Sequence, residues 1–176
     1  MVAARRSDRA DRSGSRAGAT IRRAVADDHA WLVDLGGRVY NALGDYRVIL
    51  PSWLEQPGVL TWLDADGGRR RGFAMLGFYA DDAEQAVCDL LALAVEPLEQ
   101  RQGIGGALLR HVIAVAERVG PAHAIRELRL TVARDNLDGQ RLYRAHAFDF
   151  APVAATRYAS GQEALRMIRI LGREAS

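Results

Sequence analysis

Three glycines near the start of a predicted helix are the residues of this chain best suited to bind a ligand. They are Gly103, Gly105 and Gly106, and an apolar strand precedes them. The first turn of a helix carries backbone N–H groups without intrahelical partners, at the positive end of the helix dipole. Glycines leave those donors open, so a diphosphate can approach them, and Arg101 adds a full positive charge. The stretch therefore predicts a phosphate-binding turn.

Two better-known phosphate motifs are excluded. A dinucleotide-binding fingerprint needs a third glycine at the position of Leu108, and a P-loop needs Gly-Lys-Ser/Thr, whereas the chain contains no lysine. The remaining alternative is a glycine-rich turn that binds nothing. The apolar strand before the turn and the amphipathic helix after it favour phosphate binding over that alternative.

The same residues resemble a known family. Gln100-Arg101-Gln102-Gly103-Ile104-Gly105 resembles the Gln/Arg-x-x-Gly-x-Gly/Ala signature of the GCN5-related N-acetyltransferases (GNAT), and Leu93-Ala94-Val95-Glu96-Pro97 resembles the strand end before it. The resemblance implies acetyl-CoA as co-substrate. It also implies that the cofactor is bound by the end of the strand and by the glycine-rich arm that joins the strand to the helix, through Leu93, Ala94, Val95, Arg101, Gln102, Gly103, Ile104, Gly105, Gly106 and Ala107.

A second signature of that family follows the predicted fifth strand. Asn136 is followed by a helix that ends in Leu142-Tyr143-Arg144-Ala145-His146-Ala147-Phe148. The resemblance implies that Asn136 contacts the cofactor, although the residue type also suits a helix cap. Tyr143, with an ordinary pKa of roughly 10, is expected to supply a proton to the departing thiolate, or else to anchor the core. Gly139 replaces a usual alanine, and Ala147 replaces a glycine, which predicts a different backbone conformation at the helix exit.

Amine acetylation needs a base, because the amine must lose a proton as it attacks the thioester. Asp89 and Glu84 lie on the predicted central strand, where their odd spacing places them on opposite faces. Asp89 is the preferred base, and a carboxylate paired with a neighbouring arginine is the alternative. A backbone N–H within 93–95 is expected to stabilise the oxyanion. Direct attack is expected, because the only cysteine, Cys88, lies before the cofactor-binding part of the strand.

The acceptor wall is expected from the first helices and their loop. Its aromatic and acidic residues suit an amine on a small molecule or a peptide N-terminus, although they also pack helices onto sheets; they are Tyr40, Asp45, Tyr46 and Trp53. Ribosomal-protein alanine acetyltransferases carry a glutamate five residues before the loop asparagine. Thr131 stands at that place, so the substrate of that branch is not implied.

The elements that position these residues follow from apolar periodicity. The order strand, two helices, three strands, helix, strand, helix, two strands matches the GNAT fold, an α/β (α+β) architecture with a mixed, mostly antiparallel sheet and helices on both faces. We predict helices over 28–42 and 47–56, a central strand over 84–95, and a final hairpin of 148–158 with 164–171. Residues 20–176 are predicted to form one domain, after a disordered arginine-rich tail over 1–19.

Composition supports a single globular domain. The chain has 176 residues, of which 49% are hydrophobic and 26% charged. Five of its 24 basic and two of its 22 acidic residues lie within 1–19, so the remainder is close to neutral. The four histidines lack metal-ligand spacing, so no metal is expected. The absence of a ~20-residue apolar run, of a secretory leader and of a second cysteine predicts a cytoplasmic protein that does not enter a membrane.

Three functional hypotheses result. The first is an acetyl-CoA-dependent N-acetyltransferase that modifies a primary amine; whether two chains pair as a homodimer stays open. The second is a catalytically weak acyl-CoA-binding sensor of the same fold. The third, nucleic-acid binding by the arginine tail, predicts salt-sensitive binding that depends on residues 1–19; a solvated leader is the preferred interpretation of that tail.

Overall fold

A computed structural model describes residues 18–81 and 83–172 of the chain. The predicted tail therefore lies, except for its last two residues, outside the described residues. The strands are β1 (Thr20–Arg23), β2 (Val59–Asp66), β3 (Arg69–Ala80), β4 (Ala86–Val95), β5 (Glu127–Ala133), β6 (Asp149–Phe150), β7 (Thr156–Arg157) and β8 (Glu163–Ile170). The helices are α1 (His29–Val39), α2 (Tyr46–Leu54), α3 (Ile104–Val119) and α4 (Leu137–Arg144). None of these helices is both long enough and apolar enough to cross a membrane.

The strands form one mixed sheet in the order β1-β2-β3-β4-β5-β8-β6, and β7 also pairs with β8. The β4–β5 pair is parallel and the other pairs are antiparallel. Helices α1 and α2 pack on one face around Leu32, Leu35 and Leu50, while α3 packs on the other face through Leu108 and Val112. The predicted fold class is thus confirmed: a mostly antiparallel sheet with helices on both faces.

Most of these elements lie where the apolar periodicity and the turn residues of the sequence predicted them. In α3, the residues predicted to face the core are buried, with Val119 partly so: Leu108, Leu109, Val112, Ile113, Val115 and Ala116. Gly67 and Gly68 both have positive φ, 56° and 84°, and they join β2 to β3. Two left-handed residues match the twist of a tight hairpin, as the Asp-Gly-Gly sequence indicated.

The central strand is shorter than predicted, because β4 begins at Ala86 instead of Glu84. The side chain of Asp81 accepts hydrogen bonds from the amides of Ala83 and Gln85, both at 3.0 Å. These bonds close a turn in which Glu84 has φ +56°. The prediction that Glu84 lies on the strand was therefore wrong.

The last hairpin also differs from the prediction. The stretch 148–158 was predicted as one strand, but it forms two short strands, β6 and β7, that pair with different parts of β8. Pro152 lies between them, where a residue without an N–H cannot continue a ladder.

The predicted change of backbone conformation at the end of α4 was wrong. Ala147 keeps the left-handed conformation (φ +59°) that the absent glycine would favour. Its amide donates to the carbonyl of Arg144 at 3.0 Å, and the amide of Phe148 donates to that of Tyr143 at 3.1 Å. This pair of bonds is a Schellman motif, which requires a left-handed residue at this position. The buried ring of Phe148 anchors the motif, so the alanine adopts the strained conformation.

Replacing Ala147 with glycine is expected to stabilise the protein by about 0.5–1 kcal/mol, because a Cβ is unfavourable at positive φ. For a domain of this size, the melting temperature should rise by about 1–4 °C. The matched control is Ala145→Gly: Ala145 has φ −63°, so the same change should lower the melting temperature. A lower melting temperature for Ala147→Gly would contradict this account.

Candidate functional site

A cleft opens where β4 and β5 separate. The two strands pair only from Cys88–Leu90 to Leu128–Leu130 and then diverge. The cleft between them measures about 510 Å³. Its lining comes from β4, β5, the start of α3, helix α4 and the segment after α1: Val39, Tyr40, Ala42, Leu43, Leu93, Ala94, Val95, Gln100, Gly105, Thr131, Val132, Ala133, Asp135, Asn136, Asp138, Gly139, Leu142, Tyr143, Tyr158 and Gln162.

A β-bulge at Leu91 shapes the β4 side of the cleft. Leu76 pairs with Leu90 and Met75 pairs with Ala92, so Leu91 has no partner on β3. Beyond the bulge, Ala92 and Ala94 join the core under α1 and α2. The backbone of Leu93 faces the gap toward β5, because alternate residues of an antiparallel strand direct their N–H and C=O groups away from the neighbouring strand.

Tyr40 fills this exposed part of β4. Its hydroxyl donates to the carbonyl of Leu93 at 2.7 Å and accepts from the amide of Leu93 at 2.8 Å. Burial raises the pKa of Tyr40 well above its ordinary value, so the phenol is neutral. Its ring packs against Tyr46, with centroids 4.6 Å apart. The predicted oxyanion donor at Leu93 is therefore already hydrogen-bonded in this structure.

The N-terminus of α3 lies at the other end of the cleft. Gly103 is the N-cap residue with φ +82°, and no side chain caps the helix. The first intrahelical bond at this end joins the amide of Ala107 to the carbonyl of Gly103 at 2.9 Å. The amides from Gly103 to Gly106 therefore keep the open donors that the sequence predicts. Ile104 has a buried side chain, so only its backbone faces outward.

Charged and polar side chains lie at this end of the cleft. Arg101 has φ +65° and is mostly exposed. Its guanidinium lies 3.2 Å from Asp138, which also pairs with Arg141 at 2.8 Å. Gln102 donates to the carbonyl of Leu98 at 3.5 Å. Gln100, the first residue of the signature, donates to the carbonyl of Val95 at 3.2 Å and so ties the arm to β4.

Asn136 and Gly139 form a matched pair at the start of α4. The Asn136 side chain accepts a hydrogen bond from the amide of Gly139 at 2.9 Å, as a helix cap does. A Cβ at Gly139 would lie only 2.7–3.0 Å from the Asn136 amide group. Gly139 therefore permits this cap, besides the weakening of the helix that its type predicts. Asn136 also lines the cleft.

Tyr143 lines the same cleft from α4. Its ring packs edge-on against Phe148 at 5.9 Å, and burial raises the pKa of its phenol to about 12. Within the described chain, the Tyr143 hydroxyl has no hydrogen-bond partner, although its ring packs against the core. The residue is thus a core anchor whose hydroxyl remains available in the cleft.

The two predicted carboxylates are not brought together. Asp89 lines a smaller groove next to the cleft, where Arg129 donates to it at 2.6 Å and 3.3 Å and Tyr79 donates as well. The alternative of an arginine-paired carboxylate thus describes its contacts. Glu84 instead lines a pocket with Phe78 and His123. The strand between Ala86 and Leu93 spans roughly 23 Å, so Glu84 is too far away to act as the base.

Several residues of the site were not found from the sequence, and one predicted wall residue is misplaced. Tyr158 and Gln162 reach the cleft from the β7–β8 turn, and no local spacing indicates this. Gln100, which also lines the cleft, could have been found from the sequence, because it is the first residue of the glycine signature. Asp45, predicted in the acceptor wall, is exposed and lines neither the cleft nor the groove. Cys88 is buried, and burial raises the pKa of its thiol to about 12, which fits an unreactive thiol.

The sequence of the chain matches a known protein family. The family model of the acetyltransferase (GNAT) family matches residues 26–148. The chain belongs to the GNAT family. The match includes the bulged strand, the glycine turn, Asn136 and Tyr143. No curated protein sequence matches the chain.

Solved structures share the GNAT fold of this chain. It is similar to the ribosomal-protein-S18-alanine N-acetyltransferase from Escherichia coli, at 23% identity over 90% of this chain and 97% of that one, with a TM-score of 0.72. It is also similar to NAA60 from Arabidopsis thaliana, solved with a bisubstrate analogue, at 15% identity over 89% of this chain and 100% of that one, with a TM-score of 0.73. The yncA protein from Salmonella typhimurium, solved with its cofactor acetyl-CoA, has 19% identity over 90% of this chain and 97% of its own, with a TM-score of 0.70. At these identities the likeness shows the fold.

Proposed function

We propose that the protein is an acetyl-CoA-dependent N-acetyltransferase that moves an acetyl group to a primary amine by direct attack. One observation carries the proposal: a single cleft joins Gly105, among the open amides of the α3 N-terminus, to the part of β4 beyond the bulge and to the free hydroxyl of Tyr143. The family and the acetyl-CoA-bound yncA structure support the same co-substrate. We further propose that residues 20–176 form one catalytic domain and that the protein is cytoplasmic.

The residues present fit acetyl-CoA. The amides of Gly103–Gly106 offer donors to the diphosphate, and Arg101 lies beside them. Gly105 leaves space for a ligand in the cleft, because a Cβ there would lie 3.6 Å from Leu142 and 3.8 Å from Val95, which also line the cleft. The backbone of 93–95 is proposed to bind the pantetheine arm of the cofactor. The side chain of Asn136 is proposed to contact the bound cofactor beside it. When bound, acetyl-CoA supplies an activated acyl group.

Tyr143 is proposed to stabilise the departing thiolate. Its raised pKa of about 12 keeps the phenol protonated at neutral pH. An ordinary thiol has a pKa of roughly 8.5, so complete proton transfer from Tyr143 is uphill and a hydrogen bond is the favoured role. Asp89 is the carboxylate we propose as proton acceptor, through water, because among the described residues that line the smaller groove it is the acidic one.

Tyr40 must leave Leu93 before an acyl carbonyl can use that amide. We therefore expect Tyr40→Phe to tighten acetyl-CoA binding about two- to tenfold, because competing hydrogen bonds worth about 0.5–1.5 kcal/mol in total disappear from the free protein. Isothermal titration calorimetry measures this. Tyr46→Phe, on the ring stacked against Tyr40, should leave the affinity unchanged. Weaker binding by Tyr40→Phe would show that Tyr40 contacts the bound cofactor.

The sensor alternative rests on two contacts of this structure. Tyr40 occupies the amide of Leu93, and Asp89 already accepts hydrogen bonds from Arg129 and Tyr79. Thiol release from acetyl-CoA, measured with a broad panel of primary amines, separates the two functions. Amine-dependent release supports the enzyme, whereas saturable acetyl-CoA binding without any release across the panel supports the sensor.

A further inference from the structure

The smaller groove beside the cleft has a charge balance that the sequence did not predict. It measures about 190 Å³ and meets the cleft at Thr131 and Tyr158, which line both cavities. The remaining lining comes from α2, β4, β5 and β8: Tyr46, Trp53, Asp89, Leu90, Leu91, Arg129, Leu130 and Arg166. An amine in this groove can reach the separation of β4 and β5 from the side opposite the α3 N-terminus.

The charges of Asp89 and Arg129 cancel each other in the groove. The two residues are register partners on β4 and β5, and their ion pair is 2.6 Å long. Arg129 and Asp89 have mostly covered side chains, 16% and 21% exposed. A bound ligand therefore meets a neutral pair at this point of the groove.

Arg166 has no such partner. Among the described residues, no carboxylate lies within ion-pair distance of its guanidinium, and the residue is exposed at the groove. Asp45, the acidic group predicted for the acceptor wall, does not line the groove. The free charge of the groove is therefore positive, opposite to that expected for a simple amine cation.

The position of Arg166 places it beside the junction of the groove and the cleft. Arg166 is the register partner of Thr131 on the antiparallel β5–β8 pair, and both residues lie on the same face. Directly opposed residues have Cα atoms about 5 Å apart. Because Thr131 lines both the groove and the cleft, Arg166 lies one strand away from the junction of the two cavities.

We propose that the acceptor is a small amine that also carries a carboxylate, of the α-amino-acid type, and that Arg166 binds the carboxylate. The proposal rests on the acetyltransferase function proposed above. A guanidinium binds a carboxylate through paired, charge-assisted hydrogen bonds. In the reaction, the amine nitrogen forms a bond to the acetyl carbon while the carbon–sulfur bond breaks. The nitrogen loses one proton through water to Asp89, and the coenzyme A sulfur takes up one proton from solvent, so the step balances.

Matched acceptors test the proposal. Alanine, alaninamide and ethylamine form one series, and phenylalanine, phenylalaninamide and 2-phenylethylamine form a second. Within each series the carboxylate is kept, masked or removed. For each compound, kcat/KM is measured by thiol release with the wild-type protein, with Arg166→Gln and with Arg118→Gln. Arg118 is an exposed arginine on α3, across the sheet, so it controls for the loss of one charge.

The expected result is specific to one residue and one group. Arg166→Gln should lower kcat/KM for the amino acids about tenfold or more and leave the amides and simple amines within about twofold, and Arg118→Gln should change none of them. Comparing variants on the same compound cancels the differences in amine basicity.

Two outcomes would overturn the inference. The first is absence of amino-acid turnover, including turnover confined to compounds without a carboxylate, and the second is an equal effect of Arg166→Gln on all members of a series. The proposed function is read separately, from calorimetric binding of acetyl-CoA to the wild-type protein and from its release with the wider amine panel.

Discussion

Replacing Gly105 with glutamate is expected to reduce acetyl-CoA affinity by at least about a hundredfold while the fold persists. A Cβ at this position would make only ordinary contacts, 3.6 Å from Leu142 and 3.8 Å from Val95, so a side chain fits. The carboxylate would lie among the open amides of the α3 N-terminus and repel the diphosphate. The same charge is favourable for the helix itself, because it lies at the positive end of the dipole.

Two control variants separate size from charge. Gly105→Ala adds only the Cβ and is expected to change affinity a few fold. Gly105→Gln has nearly the size of glutamate without its charge and should give an intermediate loss. Affinity is measured by calorimetry and folding by thermal unfolding. Unchanged acetyl-CoA affinity in Gly105→Glu, with an unchanged melting temperature, would contradict the assignment of the phosphate site to this turn.

Replacing Tyr143 with phenylalanine is expected to lower kcat about ten- to hundredfold and to leave acetyl-CoA affinity within about twofold. The hydroxyl is proposed to donate to the developing thiolate, and a hydrogen bond to a charged group is worth about 1.5–3 kcal/mol. The ring keeps its contact with Phe148 in this variant, so the end of α4 should remain intact.

The pH dependence provides a second readout of Tyr143. Because its pKa is raised to about 12, the phenol stays protonated through the range in which amines lose their protons. In the wild-type protein, kcat should therefore not fall between pH 8 and 10 through loss of this proton. Equal losses of kcat and acetyl-CoA affinity in Tyr143→Phe, or a lower melting temperature, would show that the hydroxyl is structural.

Features that depend on nearby residues were predictable from the sequence. The buried face of α3 follows from the spacing of its apolar residues, and the open turn follows from Gly103, Gly105 and Gly106. The hairpin at Gly67-Gly68 follows from a turn that needs two positive φ angles. In each case a short stretch of chain contains the whole physical reason.

Features that join distant parts of the chain were not predictable in this way. Tyr40 meets Leu93 across 53 residues, and the contact depends on a bulge that no local pattern marks. An arginine partner for Asp89 was the stated alternative, but the identity of that partner, Arg129, depends on the register of two parallel strands. Glu84 failed as a strand residue because the side chain of Asp81 closes the turn before it. Register and side-chain competition set these features, and both belong to the tertiary structure.

The most direct test of the central claim is the NMR response of backbone amides to coenzyme A. Saturating coenzyme A is expected to shift the amide signals of 103–106 and to slow their hydrogen exchange, with a second set of changes at 93–95. The amides of Gly67 and Gly68, in the hairpin between β2 and β3, should not respond. Saturable binding that leaves the signals of 103–106 unchanged would contradict the claim that this glycine turn binds the diphosphate.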